Sequence, residues 1–328
     1  MNDQQVRWGI IGVGDVCEKK SAPAMQLVAN SSIEAVMRRN AAKAADYARR
    51  HQIDKWYDDA DQLINDPRVN AIYIATPPSS HQEYTLRAAQ AGKPVYVEKP
   101  MALDHAQCLQ MIDHCDRHQV PLYVAYYRRA LPNFLKVKEI VDQGILGEIR
   151  FVRISLFQSA RWDLEHPVGN WRVNPQISGG GHFVDLASHQ FDFLDFVFGP
   201  LEQVWGATEN QGGLYPAEDL VSASFRWRSG VVGQGLWCFT APENAEEETV
   251  QIVGSKGKLS FACFGSPNLL LELAGQEPVE MTFAYPQHIQ QPLIEQIIAD
   301  LLGYGEAVST GITAARTNLV MDRILKTV

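Results

Sequence analysis

The sequence predicts an α/β protein: an N-terminal parallel sheet, then a C-terminal α+β domain built on a large, mostly antiparallel, open-faced sheet. Three observations lead there. Short uninterrupted apolar runs alternate with helical stretches over the first 125 residues, as strands buried on both faces require. The first run ends in a G-x-G turn. Beyond Gly199 the apolar residues recur at every second position, the period of strands with one face buried.

Taken in order, Val6–Ile11 is the first strand, followed by a helix-like stretch to about Ala29. Ile33–Met37 is a second strand and Ala41–His51 an alanine-rich helix. Asn70–Ala75, Pro94–Val97 and Leu122–Ala125 are further strands, with helices near residues 80–91 and 104–118. Parallel sheets of this kind bind ligands beyond the carboxyl ends of their strands. The chemistry is therefore expected in four stretches: Gly12–Cys17, Met37–Asn40, Thr76–His81 and Glu98–Pro100.

In the first stretch, "GIIGVGDVC", Gly12 permits a tight turn and Gly14 lets a pyrophosphate approach the next helix. Asp15 and Val16 follow on the same turn, and Cys17 replaces the usual third small residue. This is the sign of a Rossmann domain binding a dinucleotide. In the second stretch, Met37 stands where a NAD-binding domain usually has an acidic residue, and Arg38 and Arg39 follow. A guanidinium can bind a 2′-phosphate that a carboxylate would repel. The cofactor expected is NADP, with NAD as the alternative and Arg38 as the leading contact. Thr76, Pro77 and Pro78 are expected to hold an extended loop beside the nicotinamide, with His81 capping or packing at the next helix. Glu98 and Lys99 close the last of these stretches and, with His81, count among the expected cofactor contacts. Lys99 is either a surface charge or the cation of a site.

The segment "GGGHFVDLASHQFDFLDFVFG", Gly179 to Gly199, reads as a buried helix, yet it carries Asp185, His189 and Asp192. At 100° per residue these three fall within about 60° of one another. Burying such groups is costly unless they are paired or working. His189 suits acid–base chemistry near neutral pH, and Asp185, one turn away, can orient it or hold a substrate hydroxyl. Gly179–Gly181 are expected to let backbone pass close to the ligands. In the loop before them, "WDLEHPVGNWRVNPQISGGG", Trp171 and Arg172 offer a substrate a flat apolar face and a hydroxyl-binding fork, while Trp162 and Trp171 read equally well as packing anchors. Tyr127 and Arg128, just after the last Rossmann strand, are candidates for substrate contact or for packing.

Later, "LVSASFRWRSGVVGQGLWCF" reads as a hairpin turning at Gly230, and "ETVQIVGSKGKLSFAC" as another turning at Gly254–Gly257. "EIRFVRISLF" and "NLLLELA" add strands, and "PLIEQIIADLL" and "ARTNLVMDRILKTV" add amphipathic helices. The alternating apolar residues of Leu220–Trp227 suggest an exposed apolar sheet face that pairs subunits.

A chain of 328 residues exceeds what one core usually holds, so two domains are expected, residues 1–125 and 126–328. The net charge of −9 argues against nucleic acid or an anionic membrane as partner. Cys17, Cys108, Cys115, Cys238 and Cys263 show no paired spacing and read as reduced thiols, and no metal site is expected. With no signal-peptide pattern and no long apolar run, a cytoplasmic location is expected.

The chain resembles the glucose–fructose oxidoreductase/inositol dehydrogenase/rhizopine-catabolism (Gfo/Idh/MocA) family. The resemblance rests on "GIIGVGDV", "ATPPSSHQEYTLRAAQAGKPVYVEKP" and "GGGHFVDLASH", in order, over residues 6 to about 200. It implies an NAD(P)-dependent enzyme acting on sugars, polyols or related carbonyl compounds, in homodimers or homotetramers, with Lys99, Asp185 and His189 as the catalytic residues. The same resemblance leaves room for a non-catalytic dinucleotide-binding regulator, an NAD-dependent glycosidase or a dihydrodiol dehydrogenase.

Overall fold

The computed structural model describes residues 5–166 and 170–326. The chain forms two compact units, Met1–Ala130 with Pro286–Ala315, and Leu131–Tyr285 with Arg316–Val328. A cut at 125/126 does not include the return of 286–315 to the first unit.

The first unit runs β1 (Val6–Ile11), α1 (Asp15–Lys19), α2 (Ala22–Leu27), β2 (Ser31–Met37), α3 (Ala41–Arg50), β3 (Lys55–Tyr57), α4 (Ala60–Ile64), β4 (Ala71–Ile74), α5 (His81–Gln90), β5 (Val95–Val97), α6 (His105–Arg117) and β6 (Leu122–Val124). The strands pair in parallel in the order β3-β2-β1-β4-β5-β6. This is the doubly wound order, whose reversal point lies between β1 and β4. The uninterrupted apolar runs are buried as expected; all four residues of β4 have essentially no exposed surface. Two details differ from the sequence reading. The helix expected to run to about Ala29 is broken at Lys20–Ser21 into α1 and α2. The structure adds the short edge strand β3 and the one-turn helix α4, both too short to carry a period in the sequence.

The second unit runs α7 (Pro132–Asp142), β7 (Ile149–Phe157), α8 (Arg161–Glu165), α9 (Pro175–Ser178), α10 (His182–Phe198), β8 (Leu201–Glu209), β9 (Leu220–Trp227), β10 (Val232–Cys238), β11 (Glu247–Gly254), β12 (Gly257–Phe261), β13 (Leu269–Leu273) and β14 (Val279–Met281). Its eight strands follow the order β14-β13-β12-β11-β7-β10-β9-β8, antiparallel except where β10 meets β7. Both expected hairpins form, the first with Gly230 at a positive φ of 92°. Strands β8 and β14 extend the sheet beyond the strands expected from the sequence. Helix α10 covers one sheet face, packing Phe183 on Trp237 and Phe191 on Phe225. Trp237 Nε1 donates to Gln190 Oε1 at 2.7 Å within that layer.

One inference from Leu220–Trp227 needs correction. Its apolar residues Val221, Ala223, Phe225 and Trp227 are the buried side, and Ser222, Ser224 and Arg226 face outward. Exposed apolar side chains of that outer face include Phe151, Trp205, Val232 and Leu236, on other strands.

Helix α11 (Gln291–Leu301) belongs to the first unit, and α12 (Gly311–Leu325) runs from the first into the second. Among the described residues, no helix is long and apolar enough to cross a membrane.

Candidate active site

In the first unit the glycine turn is built as its residues demand. Gly12 adopts φ +96° and donates to the Met37 carbonyl at 2.9 Å. A Cβ there would lie 2.6 Å from Thr76 Cγ2, so sterics and backbone conformation both require glycine. At Gly14, by contrast, a Cβ would meet nothing within 4 Å. That open backbone, leading into α1 through Asp15 and Val16, fits the approach of a pyrophosphate. Cys17 fills the space of the third small residue, fully buried, and burial pushes its thiol up to about 12. It is packing, not chemistry.

Arg38 turns back over this loop, its Nη1 donating to the Val13 carbonyl at 3.1 Å, while Arg39 is exposed. Met37 is buried and contributes its backbone carbonyl to the turn.

At the ends of β4 and β5, Pro77 is extended, but Pro78 opens a single 3-10 turn, Pro78–Ser80, rather than prolonging an extended loop. Proline is well tolerated at that first position because its missing N–H is not needed there. Ser80 Oγ donates to Thr76 Oγ1 at 2.8 Å. His81, counted among the candidate cofactor contacts, has no exposed surface. Its Nε2 lies 2.7 Å from the Thr76 carbonyl and its Nδ1 3.0 Å from that of Pro100, so it braces two strand-end loops. Burial lowers its pKa.

Glu98 is likewise nearly buried, at 8% exposed. Tyr73 Oη and Gln290 Nε2 each donate to its Oε1 at 2.7 Å, and the Lys99 backbone N–H donates to Oε2 at 3.2 Å. Lys99 itself is half-buried and joined to Pro100 by a cis peptide. Tyr127 and Arg128 lie on the 3-10 turn Tyr127–Ala130; both are buried, with the Arg128 guanidinium 5.1 Å over the Tyr127 ring.

In the second unit, α10 carries Asp185 and His189 one turn apart, with Asp185 at the dipole's favourable end. Arg172 Nε stands 3.5 Å from Asp185 Oδ2, and its guanidinium lies 4.6 Å over the Trp171 ring. Trp171, Arg172 and Asp185 thus form one connected, partly exposed group. His189 is 4% exposed, edge-on to Phe264 at 5.9 Å, and Asp192 is fully buried. Trp162 is 49% exposed and stacks on His166, so it anchors no core.

The glycines before α10 also have a packing reason within the chain itself. Gly179 caps α9 with φ +87°. A Cβ on Gly180 would fall 2.4 Å from Val184 Cγ2, and one on Gly181 2.6 Å from Ala217 Cβ. They are needed because chain packs against them. The loop that carries Trp171 and Arg172 includes residues 167–169, which lie outside the described residues; elsewhere Asn170 and His182 are tied to Asp163. Its carboxylate accepts from Asn170 Nδ2 at 2.9 Å and meets His182 Nε2 at 2.8 Å. Glu218 accepts from the Gly181 N–H at 3.2 Å, and burial raises its pKa.

Sequence reasoning passed over Gln290, Asp163, His182 and Glu218. Tyr73 and Tyr96 offered a signal, since phenolic hydroxyls inside fully apolar strands need partners. Gln290 offered none.

Known proteins add to this geometry. Residues 6–126 match the model of an oxidoreductase family with an NAD-binding Rossmann fold, and residues 134–260 match the GFO/IDH/MocA C-terminal domain. The chain is 38% identical over 323 residues to oxidoreductase P35 of Formosa agariphila, covering 98% of both chains. It is 28% identical to the 1,5-anhydro-D-fructose reductase of Ensifer adhaerens over 255 residues, covering 77% of this chain and 74% of that one. In fold it is similar to a levoglucosan dehydrogenase solved with NADH and levoglucosan, with a TM-score of 0.88 and 22% identity, covering 99% of this chain and 97% of the other. The chain belongs to the GFO/IDH/MocA family of NAD-binding oxidoreductases.

Proposed function

We propose that the protein transfers hydride between NADP(H) and a sugar-like or polyol-like substrate, with Lys99, Asp185 and His189 as its catalytic residues. The observation that carries this reading is the group on α10: a partly exposed Asp185 bearing Arg172, with His189 one turn further on. A bound nicotinamide supplies or accepts the hydride. What remains is proton and charge handling, which is work for side chains.

In this reading the Gly12–Val16 turn and the Thr76–Pro77 loop hold the cofactor, and Arg38 binds a 2′-phosphate beside the glycine turn. Lys99 supplies positive charge where an alkoxide develops. His189 gives or takes the hydroxyl proton, and Asp185 orients it. Trp171 and Arg172 receive the substrate, whose rigid rings suit an aromatic face and a donor fork. The named activities of the reductase and dehydrogenase above support a sugar-like substrate. The first unit is the cofactor domain. The second binds substrate and pairs subunits through its outer sheet face, into a dimer or tetramer.

The rival cofactor is NAD, favoured by the NADH in the levoglucosan dehydrogenase structure. Absorbance at the nicotinamide band, followed over a panel of sugars and polyols with each cofactor, tests both. Turnover with NADP(H) supports the proposal. Cofactor binding with no turnover on any substrate overturns it in favour of a regulator.

A further inference from the structure

Lys99 follows directly on a carboxylate that is bonded on both oxygens and nearly sealed from water. Glu98 is also fixed through its backbone, its N–H donating to the Ile74 carbonyl at 2.9 Å. Behind it the bonds continue. Tyr96 Oη donates to Gln290 Oε1 at 2.9 Å, so the Gln290 amide accepts on one side and donates to Glu98 on the other. Tyr73 and Tyr96 stack with ring centres 4.9 Å apart. Tyr73, Tyr96 and Gln290 are each 1% exposed or less. Burial, with the Glu98 charge second, holds both phenols protonated, their pKa well above the ordinary value. Each hydrogen in the chain therefore has one direction to point, and water has no access to replace a missing partner.

Gln290 lies just before α11, some 190 residues from the turn it supports, in the segment that returns to the first unit. Its amide is a poor choice for filling space among tyrosines, because every polar atom buried there must be matched. It is a good choice for clamping a carboxylate.

We infer that Gln290, together with Tyr73 and Tyr96, is a positioning residue: it fixes Glu98, and through the Lys99 N–H it sets where the Lys99 amine stands. This rests on the reading of Lys99 given above. The lysine has a flexible four-carbon stem, so its backbone is the part a neighbour can pin. Small displacements of a reacting group are known to cost large factors in rate.

The test uses Gln290→Met, which keeps the volume, and Tyr73→Phe, which removes one donor and keeps the ring. Each is made alone and with Lys99→Met. Three quantities are read: kcat, cofactor affinity, and hydrogen exchange over residues 94–103 of the cofactor-free protein. A positioning role lowers kcat about tenfold or more, leaves cofactor affinity as in the parent, and speeds exchange in 94–103 relative to the rest of the chain. In the Lys99→Met background neither substitution should lower kcat further, since the group being positioned is gone. Losses that multiply with that of Lys99→Met, or parental exchange and kcat in both single variants, overturn the inference and leave the reading of Lys99 standing. Parental turnover in Lys99→Met overturns that reading instead, and the inference with it. Should Gln290→Met fail to fold, Tyr73→Phe decides on the same three measurements.

Discussion

Arg172 stands with its Nε 3.5 Å from Oδ2 of Asp185, the two side chains 43% and 19% exposed. An ion pair so open to water adds at most about 1 kcal/mol to stability. Its value lies in holding a charged fork and a carboxylate together at one place. Arg172→Ala should therefore leave the denaturant midpoint nearly unchanged and raise the substrate KM about tenfold, equivalent to ~1.4 kcal/mol. Steady-state kinetics beside a urea titration checks both; an unchanged KM removes Arg172 from the proposed substrate contacts.

For the proposed catalytic residues, His189→Ala should lower kcat by about 10²–10⁴ and Lys99→Met by about 10²–10³, each with cofactor affinity retained. Asp185→Asn should cost less if it only orients His189. If these groups merely satisfy the fold, the variants instead lose about 1–3 kcal/mol of stability and keep their turnover per folded molecule. Measuring kcat and unfolding on the same samples separates the two.

Arg38→Ala should weaken NADP(H) binding by about 1.5–3 kcal/mol, roughly 10- to 100-fold, and leave NAD(H) binding near its parental level. Fluorescence titration of both cofactors reads this directly. Tighter NAD(H) than NADP(H) binding by the parent would end the NADP reading.

His81 is fully buried between two backbone carbonyls, and burial lowers its pKa below the ordinary 6.5. The folded state therefore binds fewer protons than the unfolded one just below pH 6.5. The stability it contributes is fully present above that pH and is lost as pH falls through the folded value, at up to about 1.4 kcal/mol per pH unit. The raised carboxyl of Glu218 works in the opposite sense, above its ordinary 4.5, so the comparison must be between variants. His81→Asn should be less stable at pH 7.5 yet show a shallower fall between pH 6.5 and 5. Parallel curves for parent and variant would show that His81 does not titrate there.

The outer sheet face mixes Phe151, Trp205, Val232 and Leu236 with Arg226 and Ser224, and the first four are each more than 40% exposed. Apolar side chains grouped this way are expected at a subunit contact. Light scattering should give a dimer or tetramer, and Trp205→Glu with Leu236→Glu should shift it toward monomer while the fold is kept. A parental protein that runs as a monomer at micromolar concentration contradicts the pairing.

Much of this was legible in the chain, for identifiable physical reasons. Strands such as Ala71–Ile74, buried on both faces, must be apolar throughout, and a helix on a sheet must repeat every three to four residues, so both write their period into the sequence. Gly12 is legible too, because only glycine takes that φ beside Thr76. Asp185 and His189 stand out because a carboxylate and an imidazole are costly on an apolar helix. Arg38 was visible only as a charge after a strand; that it folds over the glycine turn depends on where β2 ends beside β1. Other features arise from chain segments that meet only on folding. Gln290 reaches Glu98 from 192 positions away, and no local pattern announces it. Gly180 and Gly181 are small because Val184 and Ala217 press on them, a requirement set by neighbours rather than by their own loop. Which face of Leu220–Trp227 is apolar inward also follows from where α10 lies, since a period of two fixes the alternation of side chains but not the side that finds a partner.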